Sequence, residues 1–293
     1  MDSILDLIGN TPLVKTNTLI SNSKVSLYLK LEGQNPGGSV KDRAAYNMIK
    51  SALDRKEITP ETNLIEATSG NTGIALAMIA GIFNLKIELV MPENSTIERV
   101  QTMKAFGAKV TLTPADAGIE GARDFAEAKM KNENLYMINQ FSNPDNWKAH
   151  YHTTGPEIWR DTNQGITHFV SSMGTTGTIM GTSSFLKEKD PSIQIIGVQP
   201  SDEAKIPGIR KWPKEYLPKI FDPRKVDRII EVNEEEAIEM TRYLAAKEGI
   251  FAGMSSGGAT AAAVKLCKEL KEGVVVCIVC DRGDRYLSSD IFK

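Results

Sequence analysis

The sequence predicts an α/β protein of two domains, each a mostly parallel twisted sheet covered by helices. Two observations carry that expectation. Apolar, strand-like runs alternate with helical periodicity almost throughout. At 293 residues and 41% hydrophobic content, the chain can fill two cores. A third observation concerns ligands: three turns rich in glycine and hydroxyls precede helices, and open parallel sheets bind at such turns.

"VSLYLKLE" (25–32) alternates as a strand does, and "NPGGSVKDRAAYNM" (35–48) follows it. Ser39 and Asp42 stand three apart before a helical run and read as a capping box with Ser39 at the N-cap. That places Lys41 in the first helical turn, where the dipole disfavours a cation by a few tenths of a kcal/mol, up to about 1. Asp or Glu would be the ordinary residue there. "NLIEA" (63–67) leads into the apolar helix of 71–83, "KIELVM" (86–91) into a helix from about Ser95 to Phe106, and "KVTLT" (109–113) into a helix near 118–132. "LYMIN" (135–139), "THFVSS" (167–172) and "IQIIGVQP" (193–200) are further strands. Asn233 and Glu236 form a second capping box, and that helix closes at Gly249. A helix after Ser256 and a strand at 274–280 complete the series. Turn residues in "GQNPGG" and "SNPDN" set the domain boundaries, giving a smaller domain of 36–145 and a larger one of 1–35 with 146–293.

Charge excludes some functions. With 35 basic against 37 acidic side chains the net charge is −2, which argues against nucleic acid or an anionic membrane as partner. "MDSILDLIGN" lacks the pattern of a secretory signal, and the apolar run at 73–83 is too short to span a bilayer. A cytoplasmic protein is expected. Three cysteines suit a reducing compartment. Cys277 and Cys280, three apart in a β-branched run, would point to opposite faces of a strand, so a redox or zinc pair is not expected. His150, His152 and His168 lack metal-ligand spacing, and no metal is expected.

The turn "ATSGNTG" (67–73) holds Thr68, Ser69, Gly70, Asn71 and Thr72 before an apolar helix. Five small polar residues exceed what capping requires and suit a carboxylate or a phosphate. In "SSMGTTGTIMG" (171–181), Gly174 and Gly177 allow close backbone approach, and Thr175, Thr176 and Thr178 add hydroxyl donors for a phosphate. No lysine follows the glycines and G-x-G-x-x-G spacing is absent, so neither a P-loop nor a dinucleotide fingerprint is present. A phosphate held this way belongs to a cofactor that is retained, not hydrolysed. In "AGMSSGGAT" (252–260), Ser256 reads as an N-cap, and Ser255 has no role by itself.

"IGNTPLV" (8–14), "NPGGSVKDR" (35–43), "EATSGNTG" (66–73), "GTTGT" (174–178) and "GMSSGG" (253–258) together resemble the cysteine synthases, pyridoxal-5′-phosphate (PLP) enzymes of fold type II, the tryptophan synthase β-like class. "QFSNPDN", "HYHTTGPEIW", "IPGIRKWPKEYLP" and "CDRGDRYLS" are similar to the B-type members, the O-acetylserine sulfhydrylases B. The resemblance implies β-replacement on O-acetyl-L-serine by sulfide, giving L-cysteine and acetate, with thiosulfate and S-sulfocysteine as the B-type variation. It implies Lys41 as the catalytic lysine that carries the cofactor and, once released, removes the Cα proton. Gly174, Thr175, Thr176, Gly177 and Thr178 would hold the phosphate, Asn71 the ring hydroxyl, and Ser255 would face the pyridine nitrogen. Thr68, Ser69, Thr72 and Gln140 would take the substrate carboxylate. Arg210 would serve the sulfur donor, although Lys211 follows it where the B-type pattern has a second arginine, and Cys280 matches a position near that site. A homodimer is implied as well. The A-type enzymes associate with serine acetyltransferase, and nothing in this sequence marks a surface for that partner. The alternative is a related PLP enzyme acting on O-phosphoserine or serine. A nucleotide-binding protein would leave Lys41 and Ser255 without a role, and a non-catalytic homologue would not need both the lysine and the phosphate turn.

Overall fold

A computed structural model describes residues 2–68 and 70–293. The chain runs β1 (Leu13–Lys15), β2 (Val25–Leu31), α1 (Lys41–Asp54), β3 (Asn63–Ala67), α2 (Asn71–Ile82), β4 (Lys86–Pro92), α3 (Ile97–Ala105), β5 (Lys109–Thr113), α4 (Gly118–Asn132) and β6 (Leu135–Met137). It continues through α5 (Pro144–His152), α6 (Thr154–Asp161), β7 (His168–Ser172), α7 (Gly177–Lys189), β8 (Gln194–Pro200), β9 (Arg228–Val232), α8 (Glu234–Glu248), α9 (Met254–Glu269) and β10 (Gly273–Val279). Two sheets result. One is four-stranded and parallel, ordered β5-β4-β3-β6; the other is six-stranded, ordered β1-β2-β10-β7-β8-β9, with only β1 antiparallel.

Each sheet is apolar on both faces, which is why its inner strands read as continuous hydrophobic runs. The four-stranded sheet packs α1 and α2 on one face, through Ala45, Met48, Leu64, Ile74 and Leu89, and α4 on the other, through Ile65, Val90, Ala122 and Ala126. The six-stranded sheet packs α8 and α9 through Val232, Leu244, Ala262 and Val275 on one side, and α6 and α7 through Ile158, Phe169, Ile179 and Val276 on the other. Helix α2 is buried from Thr72 to Ala80, matching its lack of a polar face. The Asn233–Glu236 capping box forms, and Gly249 closes α8 at φ +68°.

Four expectations need correction. Ser256 is not an N-cap: α9 begins at Met254 with Gly253 at the N-cap, and Ser256 Oγ accepts from Cys280 N at 2.9 Å. The Ser39 capping box does not form. Val40 takes the N-cap position, Ser39 Oγ accepts only from Lys41 N, and the Asp42 carboxylate reaches past it to accept from Gly37 N at 2.5 Å. Lys41 is nevertheless the first residue of the helix. The turn before α9 follows α8, not a strand. Cys280 lies just beyond β10 and is only half-buried, whereas Cys277 sits inside the strand, fully buried. Strands β1 and β9 and helices α5 and α6 carry weak periodic signals and were not expected.

Behind α1 lies a buried ionic cluster. Arg43 donates to Glu32 at 2.7 and 2.8 Å, to Glu157 at 2.6 and 2.8 Å and to Thr11 Oγ1 at 3.1 Å. Lys30 pairs with Glu157 at 2.8 Å and donates to Thr11 O at 2.7 Å. Burial alone would raise the Glu157 carboxyl, but hydrogen bonds and charge from Arg43 and Lys30 pull it down to about 2. These contacts join α1 to β2 and α6 two residues beyond Lys41.

Replacing Arg43 by Met leaves the buried Glu32 without its ion pair and Glu157 with Lys30 alone, and should cost about 3–5 kcal/mol in urea unfolding. The depressed Glu157 contributes stability above its unfolded value of 4.5 and loses it as pH falls toward about 2. The Arg43→Met variant should therefore show a shallower acid limb than the parent.

Candidate active site

The turns of interest meet at the carboxyl ends of β3, β7 and β10. They line one cavity of about 780 Å³, which also takes in the start of α1 and the start of α9. Lys41, Thr68, Asn71, Thr72 and Gln140 face it from one side. Gly174, Thr175, Thr178 and Ser255 face it from the other, with Arg210 on its border. Thr176 and Gly177 frame the turn without lining the cavity, and Ser69 lies outside the described residues.

Lys41 projects from the first residue of α1, which is pinned where Val40 N donates to Cys280 O at 2.8 Å. Among the described residues its ammonium makes no ion pair or hydrogen bond. Burial holds its pKa below the ordinary lysine value, and nearby Cys280, Asp281 and Glu32 oppose that shift only in part. Desolvation is thus the main cause, where the sequence argument had invoked the helix dipole. The Cys280 thiol is raised by burial, with Lys41 pulling it down, and its Sγ lies 3.2 Å from Ser172 Oγ.

The turn at 173–177 is shaped for close approach. A Cβ on Gly174 would meet Gly208 O at 2.9 Å, and one on Gly177 would meet Asn146 Oδ1 at 2.0 Å. Thr176 adopts φ +69° at the N-cap of α7, and its buried Oγ1 has no partner. Thr175 Oγ1 accepts from Asn146 Nδ2 at 3.2 Å and from Gly177 N at 3.4 Å, which leaves its own proton to donate. Thr178 Oγ1 lies 3.3 Å from His150 Nε2, while His150 Nδ1 lies 2.9 Å from Thr154 Oγ1. Burial, with Arg43 nearby, lowers the His150 pKa to about 3. A neutral imidazole carries one N–H, so His150 donates to one threonine and accepts from the other. No acidic residue occupies the first turn of α7.

On the opposite wall, Thr68 Oγ1 accepts from Gly70 N at 3.3 Å and Gly73 N at 3.2 Å, so this threonine caps α2. Thr72 Oγ1 donates to Gln140 Oε1 at 2.7 Å, and Gln140 Nε2 donates to Ala67 O at 3.2 Å. Asn71 is held by residues sequence reasoning missed: its Nδ2 donates to Asp281 Oδ2 at 2.7 Å, and its Oδ1 accepts from Arg285. Tyr286 also donates to Asp281 Oδ2, at 2.7 Å. Arg210 is exposed, anchored by its backbone N donating to Met173 O at 2.8 Å. Lys211 is tied to Asp202 at 2.7 Å and Glu231 at 2.9 Å. Trp212 Nε1 donates to Gly174 O at 2.7 Å, a bond no local sequence signal marks. Among the described residues no group of three or more metal-ligating side chains converges, and no helix is long and apolar enough to cross a membrane.

Comparison with known proteins decides the family. The family of pyridoxal-phosphate-dependent enzymes matches residues 4–281. Cysteine synthase B of Pseudomonas aeruginosa is 55% identical over 290 residues, covering 99% of this chain and 97% of that one. The chain belongs to the cysteine synthase family of PLP-dependent enzymes. Cysteine synthase B of Escherichia coli is 52% identical over 292 residues, 100% of this chain and 96% of that one. The crystal structure of O-acetylserine-dependent cystathionine β-synthase from Helicobacter pylori superposes with a TM-score of 0.91 at 38% identity, covering 100% of this chain and 99% of that one.

The residues of this cysteine synthase family member fit the cofactor. An unpartnered threonine hydroxyl, glycines that admit no side chain, a helix start without acid and an unpaired amine are what a phosphate-bearing aldehyde requires. Gly177→Ala would drive its methyl into Asn146, which also holds Gln140 O at 2.7 Å. Apoenzyme carrying it should bind PLP about tenfold or more weakly, the equivalent of one lost charge-assisted hydrogen bond, in a fluorescence titration.

Proposed function

We propose that the chain is an O-acetylserine sulfhydrylase that replaces the acetoxy group of O-acetyl-L-serine with sulfide, yielding L-cysteine and acetate. One observation carries the reading: an unpaired, desolvated Lys41 amine opens onto the same cavity as the 174–178 turn and the Thr68–Thr72–Gln140 wall. Bound PLP supplies the electron sink that lets the Cα proton and acetate depart.

Thr175, Thr176 and Thr178, with the backbone of Gly174 and Gly177, would hold the cofactor phosphate. Ser255, in the first turn of α9, would face the ring nitrogen. A serine hydroxyl does not keep that nitrogen protonated as a carboxylate would, which moderates the sink and disfavours a long-lived carbanion. Asn71 would meet the ring hydroxyl. Thr68, Ser69, Thr72 and Gln140 bind the substrate carboxylate. Lys41 Nζ, freed from the cofactor, takes the Cα proton as general base. Hydrosulfide adds at Cβ after acetate has left, and Lys41 returns a proton to Cα. Because acetate departs before sulfide enters, the kinetics are ping-pong. Thiosulfate is the second donor this rim suits: Arg210 offers a guanidinium to the larger anion, whereas the charge of Lys211 is already engaged by two carboxylates.

The segment 36–145 acts as a smaller mobile domain, a division supported by its containing all four strands of the smaller sheet. A homodimer in the cytoplasm is the working form of the enzyme, in keeping with three free cysteines. Borohydride reduction followed by peptide mapping should place PLP on Lys41. Lys41→Ala should lose at least about 10³-fold in turnover, the order expected when a positioned base and covalent anchor are both removed. Full activity in that variant would overturn the assignment, and turnover of O-phosphoserine or serine exceeding that of O-acetylserine would redirect it to the related enzyme.

A further inference from the structure

We infer that Glu66 is a positioning residue for the substrate carboxylate, acting through the backbone that carries Gln140. The inference rests on the reading of Thr72 and Gln140 as the carboxylate grip. Glu66 lies on β3 and is 2% exposed, the one acid among the buried residues of a parallel strand whose other buried positions are Leu64, Ile65 and Ala67. A buried carboxylate persists only where donors meet it. Here they are consecutive backbone amides: Asn139 N donates to Oε2 at 2.6 Å and Gln140 N to Oε1 at 3.1 Å.

Asn139 takes a left-handed conformation, φ +55°, immediately after the strand direction ends. Such a residue is held by its surroundings, and the Glu66 carboxylate is what grips its amide. The result fixes Gln140 relative to α2, where Thr72 Oγ1 donates to its Oε1, and relative to the phosphate turn, where Asn146 bridges Gln140 O and Thr175. Arg123 of α4 supplies the neighbouring positive charge, with its guanidinium 4.6 Å from the ring centre of Phe141, the next residue. Burial pushes the Glu66 carboxyl up to about 7, against the amides of Gln140 and Asn139 and the charge of Arg123. A glutamine at this position would offer one acceptor and turn an NH₂ toward the second amide, donor against donor. The loop would then shift, and Gln140 with it.

The test is a kinetic split in the holoenzyme. Glu66→Gln should lower kcat/KM for O-acetylserine about tenfold, through KM, with kcat retained within about twofold and kcat/KM for sulfide unchanged. Glu66→Asp keeps the charge but shortens the reach, so it should show a smaller rise in KM; it carries the test if the glutamine variant does not fold. A loss of general packing would depress both half-reactions together. An unchanged KM for O-acetylserine, or equal losses for both substrates, would overturn the inference. Gln140→Ala, measured alongside, separates the two readings. If it leaves KM unchanged, the carboxylate grip itself is misassigned and the inference falls with it; if KM rises there but not in the Glu66 variants, only the role of Glu66 falls.

Discussion

A lysine at the first residue of a buried helix is held against its own solvation, and the rest of the site depends on that constraint. Two effects act on the Lys41 amine in the same direction: removal from water and the positive end of α1. Both favour the neutral amine, which is the form that condenses with an aldehyde and the form that accepts a proton. The helix tolerates this because its next two residues anchor it elsewhere. Asp42 turns back to Gly37, and Arg43 is locked between Glu32 and Glu157. The ionic cluster is therefore more than a stability device. It fixes the helix start from behind while, among the described residues, leaving the Lys41 amine without a hydrogen bond or ion pair in front.

The second requirement is convergence. Parallel strands end on one edge of a sheet, so the turns after β3 and β7 necessarily open on corresponding sides of their sheets. Here the two sheets bring those edges together around one cavity. The smaller sheet contributes hydroxyls and an amide on the wall of Thr68, Thr72 and Gln140, and the larger contributes the threonines and glycines of 174–178. Asn146 crosses between them, donating to Gln140 O and Thr175 Oγ1. Gly177 exists to make room for that crossing, since any Cβ would displace it.

Much of this was legible in the sequence because the signals were local. β3, β5 and the α8 caps follow from runs and cap residues within a few positions. The chemistry-bearing turns stood out because their polar content exceeded what capping needs. What the sequence withheld was non-local. Nothing near Asn71 announces Asp281 and Arg285, more than two hundred positions away. Nothing local to Glu66 announces the 139–140 amides that face it, more than seventy positions away. The Ser39 capping box failed for a related reason. Its partner Asp42 found a better donor in Gly37, made available by a tight turn whose glycine at 38 sits at φ +81°.

Two further connections between the sheets differ in kind. Through α1, the join is Arg43 with Glu32 and Glu157, all nearly inaccessible to water. A broken ion pair there leaves charges stranded, at several kcal/mol. On the side of Asn71, the join is made by the segment after β10. Asp281 and Arg285 meet Asn71, Arg285 O accepts from Thr96 Oγ1 at 3.3 Å, Ser288 donates to Glu98 at 2.8 and 2.9 Å, and the Arg99 guanidinium sits 4.9 Å above the Tyr286 ring. Ser288 is solvent-exposed and Glu98 half-buried, whereas Asp281, Arg285, Arg99 and Tyr286 are buried. The start of α1 is thus braced by buried charge, while the segment after β10 meets α2 and α3 through smaller, partly exposed contacts.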